Sequence, residues 1–323
     1  MNFKFDHQML WIAVGVFTGL SLASLAGFVL SRTVKSDTGK ATVANMNART
    51  RSWWIMVAIF ALSFLLGTGG SMFLFGFISL LALREYVSLI SPVPADHRTL
   101  FWSFFVFTPV QYVFWYEGWY GLAIILIPVY AFLFIPTRLT LSHETAGFLD
   151  RAARIHWGLM ICIYCISYAP GLLTLKIPGY EKQDAKLLLF LVMVAQLSDV
   201  FQYVWGKLLG KHKIAPSISP NKTWEGFVGG VASACALGTA LWWMTPFTRL
   251  EALGMSFAIT IMGFAGGLTM SAIKRDRGVK DFGATIEGHG GILDRMDSIC
   301  FSAPLFFHLT RWIFVSPHPT FFH

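Results

Sequence analysis

The sequence predicts an all-α, polytopic integral membrane protein of about ten transmembrane helices, with both termini on the non-cytoplasmic side. Composition is the first reason. Of 323 residues, 55% are hydrophobic and 13% charged, against roughly 25% charged in a soluble globular chain. The second reason is the length of the apolar runs. Stretches of the ~20 residues needed to cross a ~30 Å hydrocarbon core recur from end to end, near 9–30, 52–66, 70–90, 100–115, 118–136, 156–175, 186–205, 226–244, 253–273 and 296–314. Charge placement is the third. With alternating spans and the 31–51 linker (Arg32, Lys35, Lys40, Arg49, Arg51) inside, the loops at 91–99, 137–155, 206–225 and 274–295 also fall inside. Most of the 25 Lys and Arg then lie on that side, as the positive-inside bias requires.

In chain order, Lys4 precedes the first apolar run, as in a signal peptide. That run is too long for an h-region and is followed by basic residues, so it reads as a retained span. The 31–51 linker, rich in Ser, Thr, Asn and Lys, is expected to be the mobile piece. The spans at 52–66 and 100–115 are short, which leaves their boundaries soft. Cys162 and Cys165 form a CxxC inside an apolar helix and, lacking a second pair, read as packing, as do Cys235 and Cys300. The chain is one membrane domain, 1–323. Within it, helices of 1–185 form a lipid-facing scaffold, and 186–315 carries the polar motifs on loops 206–225 and 274–295. The net charge of +8 reflects this topology and contact with anionic lipid, and nucleic acid is excluded as a partner.

Three segments carry candidate chemistry. Asp199 lies at the inner end of the seventh span, where an ionisable side chain needs a partner or a cavity. It is either a structural Asp paired to a lysine or part of a site approached by phosphate, since Gly206 and Gly210 alternate with Lys207 and Lys211. The loop KHKIAPSISPNKTWEG (211–226) is held extended or turned by Pro216 and Pro220. Ser219, Asn221, Lys222 and Thr223 present donors just before a helix that begins near Thr223. A helix N-terminus beside lysines attracts anions, although the same loop also reads as an ordinary positive-inside loop.

The most informative segment is a polar island, SAIKRDRGVKDFGATIEGHGGILDRMD, running from Ser271 to Asp297 between two apolar stretches. Lys274, Arg275, Arg277, Lys280 and Arg295 mix there with Asp276, Asp281, Glu287, Asp294 and Asp297, around His289 and its flanking glycines. Such a density of both signs suits a metal and a polyphosphate. Asp294 and Asp297 share a face if helical and are the hard-oxygen ligands that Mg²⁺ prefers. Lys274, Arg275 and Lys280 would neutralise phosphate oxygens, and the glycines let backbone approach a ligand. A salt-bridged loop without chemistry is the alternative.

These residues resemble the signature of the CDP-diacylglycerol synthase (phosphatidate cytidylyltransferase) family. That signature runs S-x-x-K-R, four residues, K-D, then H-G-G-x-x-D-R-x-D. It is matched by Ser271, Lys274, Arg275, Lys280, Asp281, His289, Gly290, Gly291, Asp294, Arg295 and Asp297. The stretch Ser219–Gly226 and the set Asp199, Tyr203 and Gly206 are also similar to the family's, and Arg84–Tyr86 (REY) is a weaker match upstream. The resemblance covers 198–305. It implies a membrane nucleotidyltransferase of phospholipid biosynthesis that joins CTP to phosphatidic acid, giving CDP-diacylglycerol and pyrophosphate. Mg²⁺, with room for a second cation, is then held by Asp294, Asp297 and Asp199. Catalytic roles fall to Ser271, Lys274, Arg275, Lys280, Asp281 and His289, and substrate contacts to Ser219, Asn221, Lys222, Thr223, Arg295 and Tyr203. The site is expected to face the cytoplasm of a bacterial inner membrane, with membrane lipid as a partner and a homodimer allowed.

The chain departs from the family at one place that bears on activity. Gly266 and Gly267 stand where the family carries Gly-Asp four residues before the signature serine, and that Asp is held to be a metal ligand. Glu287 stands at a common proline, and the Asp199 stretch reads DVFQY rather than DTGAY. Two other readings stay open: a catalytically impaired paralogue that binds anionic lipid or nucleotide, and a transporter with intramembrane charges.

Overall fold

The computed structural model describes residues 7–34, 36–90, 92–286, 288 and 290–315; Lys4, Lys35, Glu287 and His289 lie outside the described residues. Among those described are ten long helical stretches: α1 (His7–Thr33), α2 (Asp37–Leu65), α3 (Gly67–Ile90), α4 (97–116), α5 (Tyr120–Thr140), α6 (Phe148–Thr174), α7 (Asp184–Leu209), α8 (Trp224–Ala240), α9 (Arg249–Asp276) and α10 (Leu293–Phe314). α4, α5 and α6 each contain a π turn, at Ser103–Phe107, Leu126–Ala131 and Met160–Cys165. A short antiparallel ribbon, β1 (Lys213–Ala215) and β2 (Ser219–Thr223), joins α7 to α8. The extended backbone expected from Pro216 and Pro220 is this ribbon.

Each expected span falls on one of these helices; eight match to within a few residues, whereas the helix at 52–66 begins fifteen residues earlier, at Asp37, and that at 156–175 begins eight earlier, at Phe148. Six of them, α1, α3, α5, α6, α7 and α9, are long and apolar enough to cross a membrane. The other four carry weaker signals. α2 begins with a polar half, α4 is diluted by His97, Arg98 and Gln111, α8 has 17 residues, and α10 opens with Asp294, Arg295 and Asp297. Large apolar side chains project from the outside of the bundle, among them Trp11 at 69%, Phe17 at 62% and Phe73 at 78% exposure. Lipid accommodates such a surface and water does not. The protein is an all-α integral membrane protein.

The 31–51 linker, expected to be mobile, is instead helical from Asp37 onward. Ser36 caps the helix by accepting the Gly39 N–H at 3.2 Å, Asp37 sits in the electropositive first turn, and no proline interrupts the run.

The core forms around α6, the most deeply buried of the six apolar helices. Trp115 of α4, Tyr168 of α6 and Phe307 of α10 meet edge to face, with centroids 5.0 to 5.4 Å apart. The Ser167 hydroxyl accepts Trp115 Nε1–H at 2.9 Å and Gln111 Nε2–H at 3.1 Å, so these donors are satisfied where no water reaches. A buried Arg151–Asp96 pair at 2.9 Å ties the turn before α4 to the start of α6. α9 and α10 approach so closely at Gly266 that a side chain there would overlap the Asp297 carbonyl. That contact sets Asp297 against α9.

Candidate active site

The polar motifs converge where α3, α7 and α9 finish and α8 and α10 begin. The loop between α9 and α10 is framed by two buried carboxylates. The first is Glu85, from α3. Its Oε1 accepts the Thr285 hydroxyl at 2.6 Å and the Ile292 N–H at 3.0 Å, and its Oε2 accepts the Leu293 N–H at 2.9 Å. A carboxylate from α3 thereby caps α10, whose orphan N–H groups and positive dipole end favour an anion. Glycine is required at 291 because a side chain would overlap this carboxylate, and at 290 because φ is +81°.

The second is Asp294. One oxygen meets Lys274 Nζ at 2.7 Å, and the other accepts the N–H groups of Phe282 and Gly291 at 2.8 and 2.9 Å. Both oxygens are used, in a pair whose side chains are 11% and 3% exposed. Burying two charges is tolerable only when their remaining valences are satisfied in this way. Arg275 then ties the loop to the ribbon, donating Nε–H to Ile218 O at 3.2 Å and Nη1–H to Val279 O at 2.8 Å.

Asp297, one helical turn beyond Asp294, faces Asp199 of α7. The Ser298 hydroxyl bridges them, donating to Asp199 Oδ2 at 2.6 Å and lying 3.4 Å from Asp297 Oδ1, which also accepts the Ser298 N–H at 2.8 Å. Asp199 Oδ1 and Asp297 Oδ2 accept no hydrogen bond among the described residues. Compensating positive charge comes to Asp297 from Lys274, Arg295 and Lys222, and to Asp199 from Lys222 of β2 and Arg295. Burial pulls the Lys222 pKa below its ordinary value, against the two carboxylates, which pull it up. Its ammonium lies 4.5 Å from the centre of the Phe264 ring. Arg295 Nε is buried and has no hydrogen-bond partner among the described residues.

Gly267 opens onto this cluster. A Cβ there would stand 2.9 Å from Lys222 Nζ and 3.8 Å from Asp297 Oδ2. Ser271 turns its hydroxyl back to Gly267 O at 2.7 Å. Thr223 caps α8, accepting the Gly226 N–H at 3.1 Å, so that helix starts where the sequence expects. Ser219 pairs across the ribbon with Ala215, and Asn221, Lys280 and Asp281 are exposed at the rim. Tyr203 stands apart from the cluster, 64% exposed, its hydroxyl accepting from Lys207 Nζ at 3.5 Å. His289 lies outside the described residues.

Among the described residues, no three His, Cys, Asp or Glu side chains form a metal cage. The free oxygens of Asp199 and Asp297 nevertheless suit a hard cation that completes its shell with water and phosphate oxygens, as Mg²⁺ does. Asp294 has both oxygens engaged within the protein, one by Lys274 and the other by two backbone N–H groups. Ser298 escapes the sequence reading, and Glu85 enters it only inside the weak REY match, with no role given to it. The lone carboxylate in the apolar α3 run is a signal for Glu85; nothing local marks Ser298.

A family model described as the cytidylyltransferase family matches residues 47–313, which hold all of these motifs. An uncharacterized protein of Escherichia coli strain K12, YnbB, is 37% identical over 302 residues, 92% of this chain and 96% of its own length. A phosphatidate cytidylyltransferase of Staphylococcus haemolyticus is 31% identical over 268 residues, 80% of this chain and 97% of its own. That of Staphylococcus saprophyticus is 40% identical over 169 residues, 51% and 61% of the two chains. With a match of this extent over a buried charge cluster at one end of a membrane bundle, the chain belongs to the cytidylyltransferase family and is a nucleotidyltransferase.

Proposed function

We propose that the chain transfers a cytidylyl group from CTP to phosphatidic acid, giving CDP-diacylglycerol and pyrophosphate. The observation that carries this reading is the half-buried Asp199–Asp297 pair, with two free carboxylate oxygens flanked by Lys222 and Arg295. The phosphatidate headgroup is a phosphomonoester with a second pKa of about 6, so it is largely dianionic at neutral pH. It is already a nucleophile, and no general base is needed. Its oxygen attacks the α-phosphorus of CTP, the bond from that phosphorus to the β-phosphate oxygen breaks, and pyrophosphate leaves with the electron pair.

The protein's task is to hold two polyanions in line and offset their charge. Lys222 and Arg295 serve the phosphates, and Ser219, Asn221 and Lys280 line the rim where the nucleotide arrives. Lys274, Asp294 and Glu85 are positioning residues that keep the loop in shape. The first helices thus do more than face lipid, since α3 supplies Glu85. Mg²⁺ held by Asp199 and Asp297 would neutralise charge developing on the pyrophosphate.

All ten helices are read as spans, with loops 206–225 and 274–295 facing the cytoplasm of a bacterial inner membrane and both termini opposite, on the strength of the basic loops. The test is pyrophosphate release by the purified protein with CTP, phosphatidate and Mg²⁺. Release should require all three. A folded protein that binds CTP but releases nothing would overturn the reading in favour of an impaired relative.

A further inference from the structure

Away from that site, the ends of α3, α6 and α9 enclose a second groove of ≈ 440 Å³. It is walled by Ile273 and Asp276 of α9 and by Arg277, the residue that ends that helix. At ~100° per residue Ile273 and Asp276 lie well round the helix from Gly267, Ser271 and Lys274, so the body of α9 stands between the groove and the candidate active site. The other walls bring Ile90 and Tyr86 from α3, and Arg154 and Trp157 from α6. The Tyr86 hydroxyl donates to Arg154 O at 3.1 Å, which holds the start of α6 against α3.

Two guanidiniums face this groove with donors to spare. Arg154 reaches Asp150 through one Nη at 2.5 Å, while its Nε is buried with no hydrogen-bond partner among the described residues. Arg277 engages Asp276 through Nε at 3.1 Å, and among the described residues no other hydrogen bond or ion pair occupies it. A buried N–H left unmade is costly unless a ligand accepts it. Beside these donors stand Ile90, Ile273 and a Trp157 that is 44% exposed. Planar guanidinium forks match phosphate oxygens, and basic pockets between membrane helices take up anionic lipid headgroups.

We propose that this groove binds one anionic phospholipid, its phosphate against Arg154 and Arg277 and an acyl chain along Ile90, Ile273 and Trp157. The bound lipid would brace the end of α9 from which the signature loop departs. The inference needs only a membrane setting and does not rest on the transfer reaction.

Phosphatidylglycerol is the probe, because its phosphodiester has no terminal phosphate to serve as an acceptor. Native mass spectrometry of the full chain in neutral detergent should show one saturable adduct that zwitterionic phosphatidylcholine does not form. Excess CTP should leave it in place, and glycerol phosphate, the headgroup without its chains, should not displace it. Arg277→Gln should weaken the adduct roughly fivefold, and Arg154→Gln combined with it should weaken it further. A phosphatidylglycerol with a photoreactive acyl chain should cross-link the unaltered protein within 153–157 or 272–277, which avoids reliance on any variant's folding. Equal binding of phosphatidylcholine, displacement by CTP or by glycerol phosphate, an undiminished adduct in the double variant, or cross-links only elsewhere would each overturn the proposal.

Discussion

Asp294 and Asp297 lie three residues apart, yet their electrostatic circumstances differ, and so should the consequences of neutralising them. Asp294→Asn leaves Lys274 buried without its counter-charge, a loss of about 3–5 kcal/mol. The melting temperature in detergent should fall, and activity with it, because the loop loses its frame. Asp297→Asn relieves a like-charge contact, so it should keep stability and lose the response to Mg²⁺. Equal destabilisation by both variants would remove the distinction. Gly267 offers a gain-of-function experiment. Gly267→Asp sets a carboxylate beside Lys222 and Asp297, and Mn²⁺ affinity measured by titration should rise. A lower melting temperature without tighter binding would mean that the space is closed and the new charge is stranded. Lys222 also predicts a pH dependence. Its lowered pKa means that, as pH rises, the ammonium is lost before that of an ordinary lysine, so CTP binding should weaken early on the alkaline side. Lys222→Arg, charged throughout this range, should move that limb to higher pH; an unmoved limb would exclude Lys222 as its source.

At the scale of elements, the cap on α10 is the contact that joins the first half of the molecule to the second. Glu85→Ala leaves the N–H groups of Ile292 and Leu293 and the Thr285 hydroxyl without their acceptor, at about 1–3 kcal/mol for each group left unsatisfied. Glu85→Gln keeps one acceptor and should be milder. Melting temperature and activity measured together check this: an Ala variant as stable as the parent would show that water or another side chain already fills the role. Other elements were legible in advance. The ribbon follows from two prolines that forbid helix, and the start of α8 from a threonine ready to cap it. The first half of α2 was not, because a segment rich in Ser, Thr and Asn resembles a linker until its cap is recognised. Ser36 and Asp37 were the signal.

For the whole molecule, the decisive measurement is sidedness. Ser217→Cys in the ribbon turn and Val279→Cys in the signature loop should label from one face of the membrane, and Lys182→Cys, between α6 and α7, from the other. Labelling of Ser217→Cys and Val279→Cys from opposite faces would break the ten-span arrangement and the idea of one shared site. The six strongly apolar helices carry the membrane assignment alone. The weaker four sit in a bundle whose other members supply the apolar surroundings that their own composition lacks.

The membrane class, the approximate places of the helices and the family to which the signature residues belong were readable from the chain alone, because hydrophobic length and motif spacing are local properties. An i,i+3 spacing placed Asp294 and Asp297 on one helix face, and it could go no further. Which carboxylate is consumed by Lys274 and two backbone N–H groups, and which is left with a free oxygen opposite Asp199, depends on how α7, α9 and the loop pack around α10. The reach of Glu85 to Ile292, 207 residues away, is of the same kind. Such contacts are decided only when α3 and α10 end at the same level of the bundle, where a buried carboxylate and a row of unmade N–H groups satisfy each other.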